Sequence, residues 1–72
     1  MKYDFTDLSA RILDRFENYR AFAKAAGISH EQLRRYLQNE RPMKVSVMNR
    51  MVELLQIPDI QVDSYFFRRL QE

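Results

Sequence analysis

Cysteine is missing altogether from this 72-residue chain. Neither a disulfide scaffold nor a thiolate zinc site can therefore hold the fold together. Histidine and glycine occur once each. The lone His30 has no histidine or cysteine partner for a metal, and a single glycine cannot build a glycine-rich phosphate cradle. No nucleophile stands beside a base, so the expectation is a protein that is not an enzyme and has no cofactor and no metal site. No apolar run approaches the roughly 20 residues of a membrane span, and the opening residues do not read as a signal peptide. Bases and acids are mixed along each amphipathic stretch, which argues against a membrane surface as partner. What remains is a soluble intracellular protein forming one small domain over residues 1–72, a size at which core and entropy are closely balanced. A partner chain or bound nucleic acid is one source of added stability.

Net charge is only +2, but it is unevenly spread. Residues 19–44 hold six bases (Arg20, Lys24, Arg34, Arg35, Arg41, Lys44) against two acids (Glu31, Glu40), a net +4. The segments on either side each carry −1. A positive excess confined to one stretch is the electrostatic footprint expected of a phosphate-binding surface; an ordinary solvated face is the simpler alternative.

Helical spacing accounts for most of the chain. Tyr3 and Phe5 form an extended apolar clasp. Thr6 is expected to cap a first helix over about 7–16, with Leu8, Ile12, Leu13 and Phe16 on its inner stripe and Arg11, Asp14 and Arg15 outside. Asn18 is placed to cap a second helix over 19–26. Gly27 follows at the position where a left-handed backbone ends a helix. Ser29 and Gln32 have the spacing of a capping box for a third helix, whose inner face is Leu33, Tyr36 and Leu37. The sector opposite holds Glu31, Arg34, Arg35 and Gln38, with His30 at its edge: the residue types that read base edges. Residues 39–44 read as a polar loop, because Pro42 disfavours helix at Arg41. Ser46 is expected to cap a fourth helix ending near Gln56, with Met48, Met51, Val52 and Leu55 closing the core. The methionines read as adaptable core filler rather than a cofactor box. In the C-terminal segment 59–72, a short helix or turn near 60–64 precedes Tyr65, Phe66 and Phe67. Three successive aromatics cannot all face inward, so some must cover Tyr3 and Phe5 or a second chain. The fold expected is an all-α bundle of four to five helices, with a helix-turn-helix over about 19–38.

The opening KYDF, the stretch AFAKAAGIS, the Leu33/Leu37 spacing and the stretch LLQIPDIQVDSYFF together resemble the small Cro-like helix-turn-helix regulators of temperate phages infecting Gram-positive bacteria. The likeness covers nearly the whole chain. Ala23, Gly27 and Leu33 match that family's small residue, glycine and buried aliphatic. The resemblance implies a phage repressor-type fold and a regulator of the lysis–lysogeny switch acting in the bacterial cytoplasm. It places Ser29, His30, Glu31, Arg34, Arg35 and Gln38 where the family contacts operator DNA. The sequence LRRYLQN is richer in arginine than its relatives, and Tyr36 stands where smaller or charged residues are usual, so no operator can be carried over. In lactococcal-type phages, a similar protein looks like a modulator of repression that binds the lysogenic repressor, and this is the alternative function.

On the DNA reading, one of Arg34 and Arg35 pairs bidentately with guanine and the other binds phosphate. Solvated surface arginines are the simpler reading of the pair. On the protein reading, the same forks pair with carboxylates of a repressor. Arg20, Lys24, Arg41 and Lys44 are candidate phosphate clamps, with Arg41 and Lys44 favoured. A homodimer through Tyr65–Phe67 and Val62 would place two recognition helices about 34–36 Å apart on a near-palindromic duplex.

Overall fold

A computed structural model describes residues 2–70. Five α-helices follow one another: α1 (Thr6–Arg15), α2 (Tyr19–Ala26), α3 (His30–Leu37), α4 (Val45–Leu55) and, after a 3₁₀ turn at Asp59–Gln61, α5 (Val62–Phe66). The protein is an all-α bundle, and among the described residues the only extended pairing is an isolated antiparallel bridge between Tyr3 and Arg69. The parts of the N- and C-terminal expectations that fall on Met1 and on residues 71–72 lie outside the described residues.

Each helix contributes its apolar stripe to one core. Leu8 and Ile12 of α1, Phe22 of α2, Leu33 of α3, and Met51 and Leu55 of α4 are the largest side chains removed from solvent. Phe66 of α5 joins them, and Phe5 and Ile57 close the core from the connecting segments. Phe16 meets Phe22 edge-on at 5.0 Å between ring centroids, which seals the junction of α1 and α2.

Three helices end in the same device. After α2, Ile28 N–H donates to the Ala23 carbonyl (3.0 Å) and Gly27 N–H to that of Lys24 (3.2 Å). After α3, Glu40 N–H donates to Arg35 (2.9 Å) and Asn39 N–H to Tyr36 (3.2 Å). After α4, Ile57 N–H donates to Val52 (3.1 Å) and Gln56 N–H to Glu53 (3.2 Å). These are Schellman turns, each needing one left-handed residue. Gly27, Asn39 and Gln56 fill that place with φ of 75°, 61° and 53°. The single glycine marks only the first of three such corners.

Four expectations are corrected. Thr6 is the first residue of α1 rather than its cap; Phe5 occupies the cap position, and the Asp4 carboxylate accepts from Thr6 N–H at 2.9 Å. Leu13 is 49% exposed, because it lies at the margin of the Leu8–Ile12–Phe16 stripe, about 100° around the helix from Ile12. α4 begins at Val45 with Lys44 at its cap position and no side-chain cap bond, so Ser46 lies inside the first turn. Arg11 does not simply face solvent. Its guanidinium reaches the C-terminal end of α4, donating to the Leu55 carbonyl (Nη2 2.8 Å, Nε 3.2 Å) and that of Gln56 (3.3 Å). It also lies 5.9 Å from the centre of the Tyr65 ring.

The termini are joined across the outside of the bundle. Asp4 N–H donates to the Arg68 carbonyl (2.6 Å) and Leu70 N–H to that of Lys2 (3.2 Å). The opposite edge of the same segment is held by Asn39, whose amide takes Tyr3 N–H and donates to Tyr3 C=O, each at 2.8 Å. Alternating backbone direction in an extended segment puts Tyr3 on one edge and its neighbours on the other. Tyr3 also packs edge-on against Phe67 at 5.8 Å, as the aromatic clasp required.

Candidate recognition surface on the third helix

α2 and α3 are positioned by local chemistry that is nearly complete. Asn18 Oδ1 accepts from Ala21 N–H at 2.8 Å and opens α2. Gly27 closes it. A Cβ at Gly27 would lie 2.8 Å from Nη1 of Arg50, so α4 sends a guanidinium over this corner. Ser29 Oγ accepts from Gln32 N–H and Gln32 Oε1 from Ser29 N–H, both at 3.0 Å, giving a full capping box at the start of α3. Leu33 and Tyr36 are buried, which fixes the rotation of α3 and turns the opposite sector outward.

That sector is what the spacing predicted. Ser29, His30, Glu31 and Gln38 are exposed, while Arg34 and Arg35 are half-buried. His30, Arg34 and Gln38 border a depression of about 280 Å³ whose base includes Leu33 and Leu37.

The arginines are not equivalent. Arg34 Nε and Nη2 donate to the two carboxylate oxygens of Glu31 (2.5 and 3.1 Å), and Nη1 donates to Gln38 Oε1 (2.7 Å) and Glu40 Oε2 (2.9 Å). The bond from Arg34 holds Glu31 below the usual carboxylate range, and Glu31 and Glu40 raise Arg34 above the ordinary arginine value. Arg35 stands apart, with Nε 3.8 Å from Glu31, shielded from solvent and without a hydrogen-bond partner among the described residues.

Arg20 and Lys24 on α2, with Arg41 and Lys44 after α3, are exposed and form no ion pair among the described residues. Thus Arg34 is compensated by Glu31 and Glu40, whereas Arg35 is only partly so and the four cations bracketing α3 are not.

No group of three or more metal-ligating side chains occurs among the described residues. Nor does any helix there have the length and apolarity to cross a membrane.

The model of a family known only as a protein of unknown function, DUF739, matches residues 1–69. The chain belongs to DUF739. No curated protein matches it. Within this DUF739 chain, the aromatic surface expected to join two copies is smaller than the sequence implied. Phe66 is 2% exposed and belongs to the core, and Tyr65 lies beneath Arg11. Phe67 is left at the surface, beside a groove of about 470 Å³ between the N-terminal segment and the start of α4.

Asn39, Glu40 and Arg50 escaped sequence reasoning. Only Asn39 left a trace: like Gly27, it is a residue tolerant of left-handed backbone just beyond an apolar helical stripe.

Proposed function

We propose that this protein is a phage-type transcriptional regulator of the lysis–lysogeny switch, acting in the bacterial cytoplasm and binding operator DNA through α3. The observation that carries this reading is the set of exposed cations without carboxylate partners, Arg20, Lys24, Arg41 and Lys44, on the elements before and after α3. Such cations bind phosphates and set register, while the outer sector of α3 supplies base contacts. Ser29 and His30 at its N-terminal end and Gln38 near its other end offer hydroxyl, imidazole and amide groups. Arg35, without a full ion pair, is the better candidate for guanine, and Arg34 must first exchange partners. One short helix reads few bases, so selective binding calls for two copies on a near-palindromic site.

The test is selection from a random-sequence duplex pool, followed by binding measurements at several salt concentrations. Enrichment of a two-fold site, with selectivity lost in Arg35→Ala, supports the reading. A log–log salt slope near −0.9 per phosphate counts the clamps, and Arg41→Ala and Lys44→Ala should each reduce it by about one unit. No enrichment, together with negligible affinity at physiological salt, would overturn it.

A second reading has its own support. Glu31 and Glu40 balance Arg34 and Arg35, leaving a polar, nearly neutral face suited to a protein partner. On this reading the protein is a modulator of repression that binds the phage's lysogenic repressor. Light scattering of the two proteins mixed would reveal a heterodimer, and a sum of two unassociated masses would exclude it.

A further inference from the structure

The turn after α3 departs from the turns after α2 and α4. In those, the residue following the left-handed position is Ile28 or Ile57, and its side chain packs against the core. That apolar contact normally accompanies the motif. After α3 the same place is held by Glu40, and its carboxylate meets Arg34 Nη1 at 2.9 Å. An ion pair stands where the other two turns place an isoleucine.

Glu40 is therefore held by backbone geometry. Its N–H is bonded to the Arg35 carbonyl, and Asn39 sets the turn at a φ of 61°. The Asn39 amide is itself fixed to both backbone groups of Tyr3. The consequence for Arg34 follows from counting donors. A guanidinium has five N–H groups, and four hydrogen bonds to Glu31, Gln38 and Glu40 leave a single one on Nη2. Guanine O6 and N7 require two neighbouring donors. Phosphate binding through a fork has the same requirement.

We propose that Glu40, acting with Glu31, is a carboxylate latch that positions Arg34 and restrains its engagement with duplex DNA. This inference rests on the DNA-binding reading. Glu31 approaches from the first turn of α3 and Glu40 from the turn beyond its end, so the guanidinium is held from both directions. An approaching phosphate or guanine must displace one carboxylate and tolerate the other. Arg35 shares Glu31 only at 3.8 Å and is not latched in this way. Glu40 is a positioning residue: it acts through Arg34.

The experiment is a double-mutant cycle on the full chain, read by fluorescence anisotropy with a labelled random-sequence duplex between about 50 and 200 mM salt. Glu40→Gln should tighten binding by up to about fivefold, the scale of one exposed charge pair. It should also steepen the salt slope by about one unit as Arg34 gains a phosphate. In an Arg34→Ala background, Glu40→Gln should do neither. An equal gain with and without Arg34 would reduce Glu40 to one negative charge among others and overturn the latch. Wild-type binding that Glu40→Gln leaves unchanged would overturn it while leaving the DNA reading intact. Absence of binding by the wild type and every variant would overturn both.

Discussion

Asn39 serves as a strand neighbour for Tyr3: one side-chain amide satisfies both the N–H and the C=O of a residue 36 positions away, each at 2.8 Å. The pair ties the N-terminal segment to the turn after α3, so removing it should loosen both. Asn39→Ala loses two partly buried hydrogen bonds, at about 1 kcal/mol each, and incurs about 1 kcal/mol for a left-handed alanine. Asn39→Gly loses only the bonds. Urea denaturation should therefore rank wild type above Asn39→Gly above Asn39→Ala. Asn39→Asp should also fall below wild type, because the carboxylate still accepts from Tyr3 N–H but sets a negative charge against the Tyr3 carbonyl. Equal stability of all four proteins would refute the role assigned to the amide.

Arg11 performs a comparable service at the end of α4. Its guanidinium satisfies carbonyls of Leu55 and Gln56 that α4 itself leaves open, and its charge suits the negative end of the helix. Hydrogen bonds from a charged donor contribute about 1.5–3 kcal/mol. Arg11→Ala should lower the thermal midpoint by about 6–24 °C, taking about 4–8 °C per kcal/mol for a domain of this size. Arg11→Lys should recover less than half of that loss, since one ammonium cannot reproduce the fork against two carbonyls or the planar contact with Tyr65. Full rescue by lysine would show that charge alone matters.

The left-handed corners allow a paired test. Gly27→Ala faces two obstacles: a φ of 75° and a Cβ placed 2.8 Å from Arg50 Nη1. The second is slight, because the far end of a long side chain can move away. The backbone effect should dominate, at about 1–2 kcal/mol. Adding Arg50→Ala should then restore less than about 0.5 kcal/mol, within the range of simple additivity. Gln56 presents the opposite case, a side chain where glycine is favoured. Gln56→Gly should stabilise the protein by about 0.5–1 kcal/mol, less whatever its exposed bond to Arg15 contributes. Chemical denaturation of the three variants beside the wild type decides the balance.

These residues also mark how far the sequence could be read. The bounds of α2, the Asn18 cap, the Gly27 corner and the Ser29–Gln32 box were all legible, because each is decided by residues within a few positions of one another. So were Leu8, Ile12, Leu33, Met51 and Leu55, through helical period. Arg11 was not, since its partners lie 44 and 45 residues away and nothing local separates a staple from a solvated arginine. Asn39 and Tyr3 present the same difficulty. The outer sector of α3 was found by angle alone, but angle does not reveal which guanidinium is occupied. That depended on Glu40, which reaches Arg34 only because the chain turns left-handed at Asn39.

Acid should expose the same network through stability. Arg34 holds Glu31 below the usual carboxylate range, and Thr6, through its side chain first and its backbone N–H second, does the same for Asp4. For a carboxylate whose folded value is depressed, the unfolded chain binds the proton first. The stabilisation is therefore complete above the unfolded value, near 4, and is lost as pH falls through the lower folded value. Arg34 keeps its charge throughout, being raised further still, so the carboxylate alone titrates. Thermal melts from about pH 7 down to about pH 2 should show Glu31→Gln and Asp4→Asn less stable than wild type at the upper end. The differences should close at the lower end, where the wild-type carboxylates are protonated too. A gap that persists unchanged to the lowest pH would mean that shape, not charge, sets the worth of these side chains, and that Arg34 is held by packing rather than by its acids.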